Sequence, residues 1–159
     1  MQNNFKVTDR IKRKIAVLTT SFIFALTGIV PVSAFDFSVW DALIQRHVAP
    51  KNVGGILIHA VNYESLKNDL EYSSLVSRLR SAKLDSLRTR DEKLAFWINT
   101  YNILAIKMVV DHYPIKSIKD IGSFFRPVWK KSVGSVAGKE RTLDEIEHKI
   151  LRKLDEPRI

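Results

Sequence analysis

The stretch Thr89–Tyr113, TRDEKLAFWINTYNILAIKMVVDHY, decides the fold of this chain. It opens with a capping box, in which the Thr89 hydroxyl accepts a hydrogen bond from the Glu92 amide and the Glu92 carboxylate accepts one from the Thr89 amide. The helix that follows must end before Pro114, because the residue preceding a proline disfavours helical geometry. Its residues are apolar on nearly every side, which predicts a central helix packed against several neighbours.

Amphipathic segments lie on both sides of this helix in the sequence. Helical spacing of apolar residues predicts one helix over Phe37–Ala49, and either one long helix or two short ones over Tyr63–Leu84. Between them, Lys51–Val61 holds two adjacent glycines and then a short apolar run, which favours a loop with an extended segment. A second capping box, TLDE from Thr142, predicts the start of a last helix.

Two smaller elements complete the predicted architecture. Ser117–Gly122 predicts a short helical turn, and Lys131–Leu143 predicts a hairpin around Gly138. The expected fold class is therefore α+β and mainly helical, with a central buried helix, surrounding helices and a small β-hairpin. Since no repeat or linker divides residues 35–159, we expect them to form a single domain.

The N-terminus differs in composition from the rest of the 159-residue chain, whose net charge is +9. Residues 1–34 carry five basic residues and one acidic residue, and Ile15–Val30 is a run of sixteen uncharged residues. Small residues follow at Val32–Ala34. This order is typical of a secretory signal peptide cleaved after Ala34, so we expect a secreted or periplasmic protein. The alternative is a membrane anchor over residues 15–32, although a spanning helix needs about 20 apolar residues.

Several classes of chemistry are excluded by composition or lack a motif. The absence of cysteine excludes disulfides, thiolate zinc sites, iron–sulfur ligation and a cysteine nucleophile within this chain. Glu145 and His148 have the spacing of a carboxylate-bridged metal site, but no second pair accompanies them. We therefore expect neither a metal nor another cofactor. The basic and aromatic segment 126–131 could contact nucleic acid or an anionic surface, but an exported protein rarely meets nucleic acid, and we expect no such partner.

Polar side chains on the central helix are the first candidates for function. Asn99 and Asn102 share a stripe of this helix, and burying their amides is costly unless the donors and acceptors find partners. They either brace the backbone of a neighbouring loop or orient a substrate or catalytic group. Trp97 and Tyr101, one helical turn apart, belong either to the core or to a substrate-binding platform.

Glu147 and His148 in the last helix are the second candidates, as an acid–base pair. Adjacent helical residues point about 100° apart, which disfavours direct contact between their side chains. A histidine near a helix end can also cap carbonyl groups or pair with an acid. The sequence leaves these interpretations open.

The motifs LAFWINTYN at residues 94–102, Tyr113-Pro114, and IEHKILR at residues 146–152 carry a family resemblance. In their order and spacing, the chain resembles the bacterial and plant proteins grouped as domain of unknown function 547, from about Phe37 to Ile159. Similar members continue beyond the segment Glu156–Ile159 into a His-Phe element and a cysteine-containing segment. The resemblance therefore implies that residues 35–159 are an incomplete domain, whose central helix is left partly uncovered and prone to association.

Two functions from different classes remain open, and whether the chain is an enzyme is undecided at this point. The first is an exported envelope protein with a hydrolase-like domain acting on a peptide or cell-wall amide. Its site would contain His148 as base, Asn99 as oxyanion or orienting donor, and also Asn102 and Glu147. The alternative is a non-catalytic binding or scaffold module of the cell envelope. Either would have a peptide or cell-envelope ligand as its partner, and contact a membrane only through an uncleaved N-terminal segment.

Overall fold

The structure, a computed structural model, describes residues 35–122 and 127–155. The predicted signal peptide and its cleavage site lie outside these residues. No helix in the described part of the chain is long and apolar enough to span a membrane. The regular elements follow the order α1 (Ser38–His47), β1 (Val48–Val53), β2 (Ile56–Val61), α2 (Tyr63–Lys67), α3 (Leu70–Arg80), α4 (Arg90–Val110), β3 (Ser132–Val136), β4 (Lys139–Thr142) and α5 (Leu143–Glu145). Short 3₁₀ turns lie at Leu84–Ser86, Ile118–Ile121 and Val128–Lys130.

The central helix is confirmed as α4, and its capping box forms as predicted. The Thr89 hydroxyl accepts from the Glu92 amide at 3.1 Å, and the Glu92 carboxylate accepts from the Thr89 amide at 2.9 Å. Helix α4 contributes the largest group of buried residues to the core: Phe96, Trp97, Thr100, Ile103, Leu104, Met108 and Val110. The other core side chains come from α1, α2, α3, β3, α5, the last helical segment, and the turns and loop that carry Leu87, Ile121 and Val128.

The segment between the first hairpin and α4 forms two helices, which resolves the alternative that the sequence left open. Helix α2 begins where Asn62 accepts a hydrogen bond from the Ser65 amide, and α3 begins where Asp69 accepts from the Glu71 amide. Leu70, one of the apolar residues whose helical spacing predicts a helix within Tyr63–Leu84, is 83% exposed. Leu70 is the first residue of α3, and because α2 and α3 are separate helices, the apolar face of α3 does not continue that of α2.

The described residues form two β-hairpins where the sequence predicted one. The predicted hairpin around Gly138 is β3–β4. In its turn, the Gly138 amide donates a hydrogen bond of 2.7 Å to the carbonyl of Arg80, at the end of α3. The second hairpin, β1–β2, replaces the predicted loop at residues 51–61. Its Gly54-Gly55 turn has φ values of +60° and +87°, the geometry of a type I′ turn, which favours antiparallel pairing. Helix α1 accordingly ends at His47 rather than Ala49.

The predicted last helix is irregular. Helix α5 lasts only three residues, then a π-helical turn spans Ile146–Ile150 and a 3₁₀ turn spans Leu151–Leu154. Thr142 caps its start by accepting from the Glu145 amide at 3.0 Å. The second capping box is only half formed, because the Glu145 carboxylate accepts from Arg141 at 2.6 Å instead.

Exposed apolar surface lies away from α4. The expected uncovered patch on the central helix is not found in the described part of the chain, where no large apolar residue of α4 is highly exposed. The highly exposed large apolar side chains in that part belong mainly to the β1–β2 hairpin: Val53, Ile56, Leu57 and Ile58, with Ile44, Leu70 and Trp129 elsewhere.

Candidate functional site

The π-helical turn carries Glu147 and His148, the two acid–base candidates from the sequence. Ile146, at its first residue, is fully buried and fixes the turn against the core. The side chain of Glu147 is 33% exposed and that of His148 is 44% exposed. Because π-helical turns occur frequently at functional sites, this local departure from α-helical geometry makes the segment a candidate functional site.

The Glu147 carboxylate is held by donors from two directions. The Tyr101 hydroxyl donates to its Oε2 at 3.5 Å, and the Arg152 guanidinium donates to its Oε1 at 3.3 Å. Burial raises the pKa of Tyr101, and the adjacent charge of Glu147 raises it further. The phenol therefore stays protonated at neutral pH and remains a hydrogen-bond donor to Glu147.

The imidazole of His148 lies between two carboxylates. Its Nε2 is 3.8 Å from Oδ1 of Asp144, and its Nδ1 is 3.7 Å from Oε1 of Glu147. These separations exceed hydrogen-bond lengths but allow ionic attraction when the ring is protonated. Despite being adjacent in the helix, Glu147 and His148 therefore approach one another. An accessible imidazole flanked by carboxylates is a candidate general acid or base.

Trp97 and Tyr101 extend from α4 toward this part of the surface but differ in exposure. Trp97 is only 6% exposed and packs edge-on against Phe96, with 5.3 Å between the ring centroids. The Arg141 guanidinium lies over the indole, 5.6 Å from its centroid, so Trp97 offers little free surface to a ligand. Tyr101 is half-buried and is the member of the pair that reaches Glu147.

Asn99 and Asn102 lie on other sides of α4. At about 100° per residue, they are roughly 160° and 100° from Tyr101 around the helix axis. Asn99 is partly buried and Asn102 is exposed, and neither side chain makes a hydrogen bond within residues 35–122 and 127–155. The structure thus brings together Tyr101, Glu147 and His148, whereas the two asparagines are not part of this cluster.

Two members of the cluster were not singled out from the sequence. Asp144 precedes His148 by four residues, a spacing that would have identified it as a helical neighbour. Arg152 has no such signal. We refer to Tyr101, Asp144, Glu147, His148 and Arg152 as the acid–base cluster. In the described part of the chain, no three His, Cys, Asp or Glu side chains converge as a metal site would require.

A second histidine–carboxylate pair joins α1 to the start of α3. His47 Nε2 lies 2.8 Å from Asp69 Oδ2, and the His47 side chain is 8% exposed. Nδ1 of His47 is buried and has no hydrogen-bond partner among the described residues. Because this ring is closed off from solvent, the pair connects secondary-structure elements and does not form an accessible site.

The fold and this cluster define a mainly helical α+β domain with a titratable surface site on its last helical segment. Residues 84–158 match the family model described as Protein of unknown function, DUF547. The match includes α4, the β3–β4 hairpin and the π-helical turn, so the family resemblance inferred from the sequence is confirmed over these residues. No curated protein and no solved structure shows significant similarity to the chain.

Proposed function

We propose that the chain works outside the cytoplasm as a hydrolase-like protein of the cell envelope, cleaving a peptide or cell-wall amide with His148 as general base. The observation that carries this proposal is the position of His148, which is 44% exposed and lies between the carboxylates of Asp144 and Glu147. Export is supported by the signal-peptide pattern of residues 1–34.

The proposed reaction uses only protons and water. Neutral His148 removes a proton from a water molecule while the water oxygen attacks the amide carbon. The flanking carboxylates stabilise the imidazolium that forms, as an orienting aspartate does for a catalytic histidine. The imidazolium then returns the proton to the leaving amine as the carbon–nitrogen bond breaks. Glu147 orients the ring, because Tyr101 and Arg152 hold its carboxylate in place.

The test is an activity assay of the full chain with peptidoglycan fragments and amide-bonded peptides as substrates. Loss of general-base catalysis typically lowers the rate by about 10²- to 10⁴-fold, so we expect His148→Ala to fall in that range. Lys149→Ala is the matched control, since Lys149 is an exposed neighbour on the same turn. Equal rates for wild type and His148→Ala would refute the assignment of the base.

A non-catalytic binding module is the second candidate, and the openness of the cluster favours it. A His148 side chain that is 44% exposed does not lie in a water-excluded site, which hydrolases commonly use to strengthen electrostatic interactions. Cavities of about 530 Å³ and 350 Å³ lie elsewhere, beside the loop after α3, with Lys83 and Ser86 lining both. Saturable binding of the same fragments without turnover would support this alternative.

Export has its own measurement. Mass spectrometry of the protein from the periplasm or medium should find Phe35 as the first residue. Recovery of intact Met1 from the membrane fraction would instead support an N-terminal anchor.

A further inference from the structure

The β1–β2 hairpin is an apolar projection with unusually accessible side chains. Val53, Ile56, Leu57 and Ile58 are 51%, 68%, 69% and 41% exposed. Residues 52–61 contain no charged side chain, although 27% of the chain is charged. Within residues 35–122 and 127–155 the sheet has two strands, so each strand has one edge without a neighbouring strand there.

The outer edge of β1 is protected by a proline. A two-residue I′ turn makes Val53 and Ile56 a hydrogen-bonded pair, and such pairs alternate with non-hydrogen-bonded ones along an antiparallel ladder. Pro50, opposite His59, therefore falls at a non-hydrogen-bonded pair, where the main-chain nitrogen faces the outer edge. Since proline has no N–H, β1 lacks a donor at the centre of that edge.

The outer edge of β2 has no comparable protection. By the same alternation, the N–H and C=O groups of Leu57, His59 and Val61 face outward. In the described part of the chain these groups bond to no other element. Natural proteins commonly protect exposed edges with charges, prolines or covering segments, because an open edge pairs with other strands. In this hairpin the outer edge of β1 is protected by Pro50, whereas the outer edge of β2 keeps all of its N–H donors and carries no charged side chain.

We propose that β2 pairs antiparallel with β2 of a second copy, forming a four-stranded sheet across a two-fold axis. This inference is independent of the acid–base cluster. An antiparallel edge is complementary to itself: with the axis at Ile58, Leu57 of each copy lies opposite His59 of the other. No charged side chains face one another across the two paired edges, although each chain carries a net charge of +9.

The contact is small, which sets the expected strength of association. A six-residue strand spans about 20 Å, so the paired edges cover far less than the roughly 800 Å² per partner of a standard stable interface. The dimer should therefore be weak and reversible, and its population should depend on protein concentration.

Sedimentation velocity of the full chain over a concentration series tests this pairing. We expect wild type to move from monomer toward dimer as concentration rises. His59→Pro removes an outward N–H without removing a bond between β1 and β2, and should keep the chain monomeric. His59→Ala is the matched control, because it retains the N–H and should still dimerise. Leu57→Lys should also prevent dimers, because it places two like charges on the same face, diagonally across the axis from one another.

The protected edge provides a gain-of-association test. Pro50→Ala restores the missing donor of β1, so each copy would then present two open edges and should form assemblies larger than dimers. A wild-type chain that stays monomeric at every concentration would overturn the proposal, as would equal dimerisation of His59→Pro and His59→Ala. Binding of a monomeric chain to phosphatidylglycerol vesicles, lost in Leu57→Lys, would also overturn it and assign the hairpin to a lipid surface.

Discussion

The Tyr72 hydroxyl donates a 2.8 Å hydrogen bond to the main-chain carbonyl of Ile103, joining the first turn of α3 to the middle of α4. Tyr72 is 4% exposed and Ile103 is fully buried. Burial raises the pKa of Tyr72 far above its ordinary value, so the phenol is a permanent donor at neutral pH. This bond places a directional constraint inside an otherwise apolar contact between the two helices.

Tyr72→Phe should lower the free energy of unfolding by about 1 kcal/mol, the usual net contribution of a buried hydrogen bond. The Tyr72 pKa is higher in the folded state, so its contribution is complete below the unfolded pKa of about 10 and declines as pH rises above that value. Urea unfolding at neutral and alkaline pH measures both effects. If the Tyr72→Phe variant showed the same alkaline loss of stability as wild type, the role assigned to the phenol would be contradicted.

Thr89→Ala should destabilise the chain by about 1 kcal/mol, because it removes the cap at the start of α4. Thr89→Ser keeps the hydroxyl and serves as the control, with a much smaller expected change. Urea midpoints at neutral pH provide the comparison. If alanine and serine gave the same midpoint, the hydroxyl would not contribute to the helix start.

Asp69 should make stability depend on pH in the acid range. The hydrogen bond from His47 lowers the pKa of Asp69, and the Glu71 amide lowers it further. A depressed folded pKa means that the stabilisation is present above the unfolded pKa, about 4, and declines as pH falls below it. Asp69→Asn should therefore flatten the acid limb of the stability curve, measured by urea unfolding at a series of pH values.

Glu147→Gln should lower the pKa of Tyr101 toward its ordinary value, since both the charge of Glu147 and its hydrogen bond to the phenol raise that pKa. The part of the shift that comes from burial should remain. Ultraviolet titration of tyrosinate, taken as the difference from Tyr101→Phe, isolates this phenol. An unchanged titration midpoint in Glu147→Gln would show that the two side chains are not coupled in solution.

Gly134→Ala should destabilise the contact between β3 and α4. A Cβ at residue 134 would lie 3.1 Å from Cδ2 of Leu104, which is fully buried and has little room to move. We expect a loss of about 1–3 kcal/mol, typical of overpacking. The loss should be smaller in a Leu104→Val background, and a double-mutant cycle of unfolding free energies measures the difference. Additive effects of the two substitutions would show that the strain does not come from contact between residue 134 and Leu104.

Local signals predicted α4 well and the first hairpin poorly. The cap at Thr89 involves residues three apart, and Pro114 limits the other end, so both boundaries follow from nearby sequence. In β1–β2, Pro50 interrupts the pattern of the first strand, and the second strand is apolar on both faces. Neither strand shows the alternation that identifies a half-buried strand, and their pairing depends on the conformation of the glycine turn.

The candidate site was predictable only in part, for a tertiary reason. Glu147 and His148 could be singled out as a titratable pair, but not their distance from Tyr101, which depends on how the last segment packs against α4. The burial of Ile146 and Leu151 against the core sets that packing. No local rule for helix propensity or capping predicts that a π-helical turn lies between them.

The π-helical turn also determines which residues can be neighbours beyond it. In a regular α-helix, residues five apart lie about 140° apart around the axis, and their side chains diverge. Glu147 and Arg152 are five apart, yet their side chains are 3.3 Å from one another. The turn acts as a one-residue insertion that shifts the angular register of all that follows. Deleting one of residues 148–150 would leave Glu147 and Arg152 four apart, the spacing of neighbouring side chains in a regular α-helix, so the π-helical turn is what lets a pair five apart make the same contact.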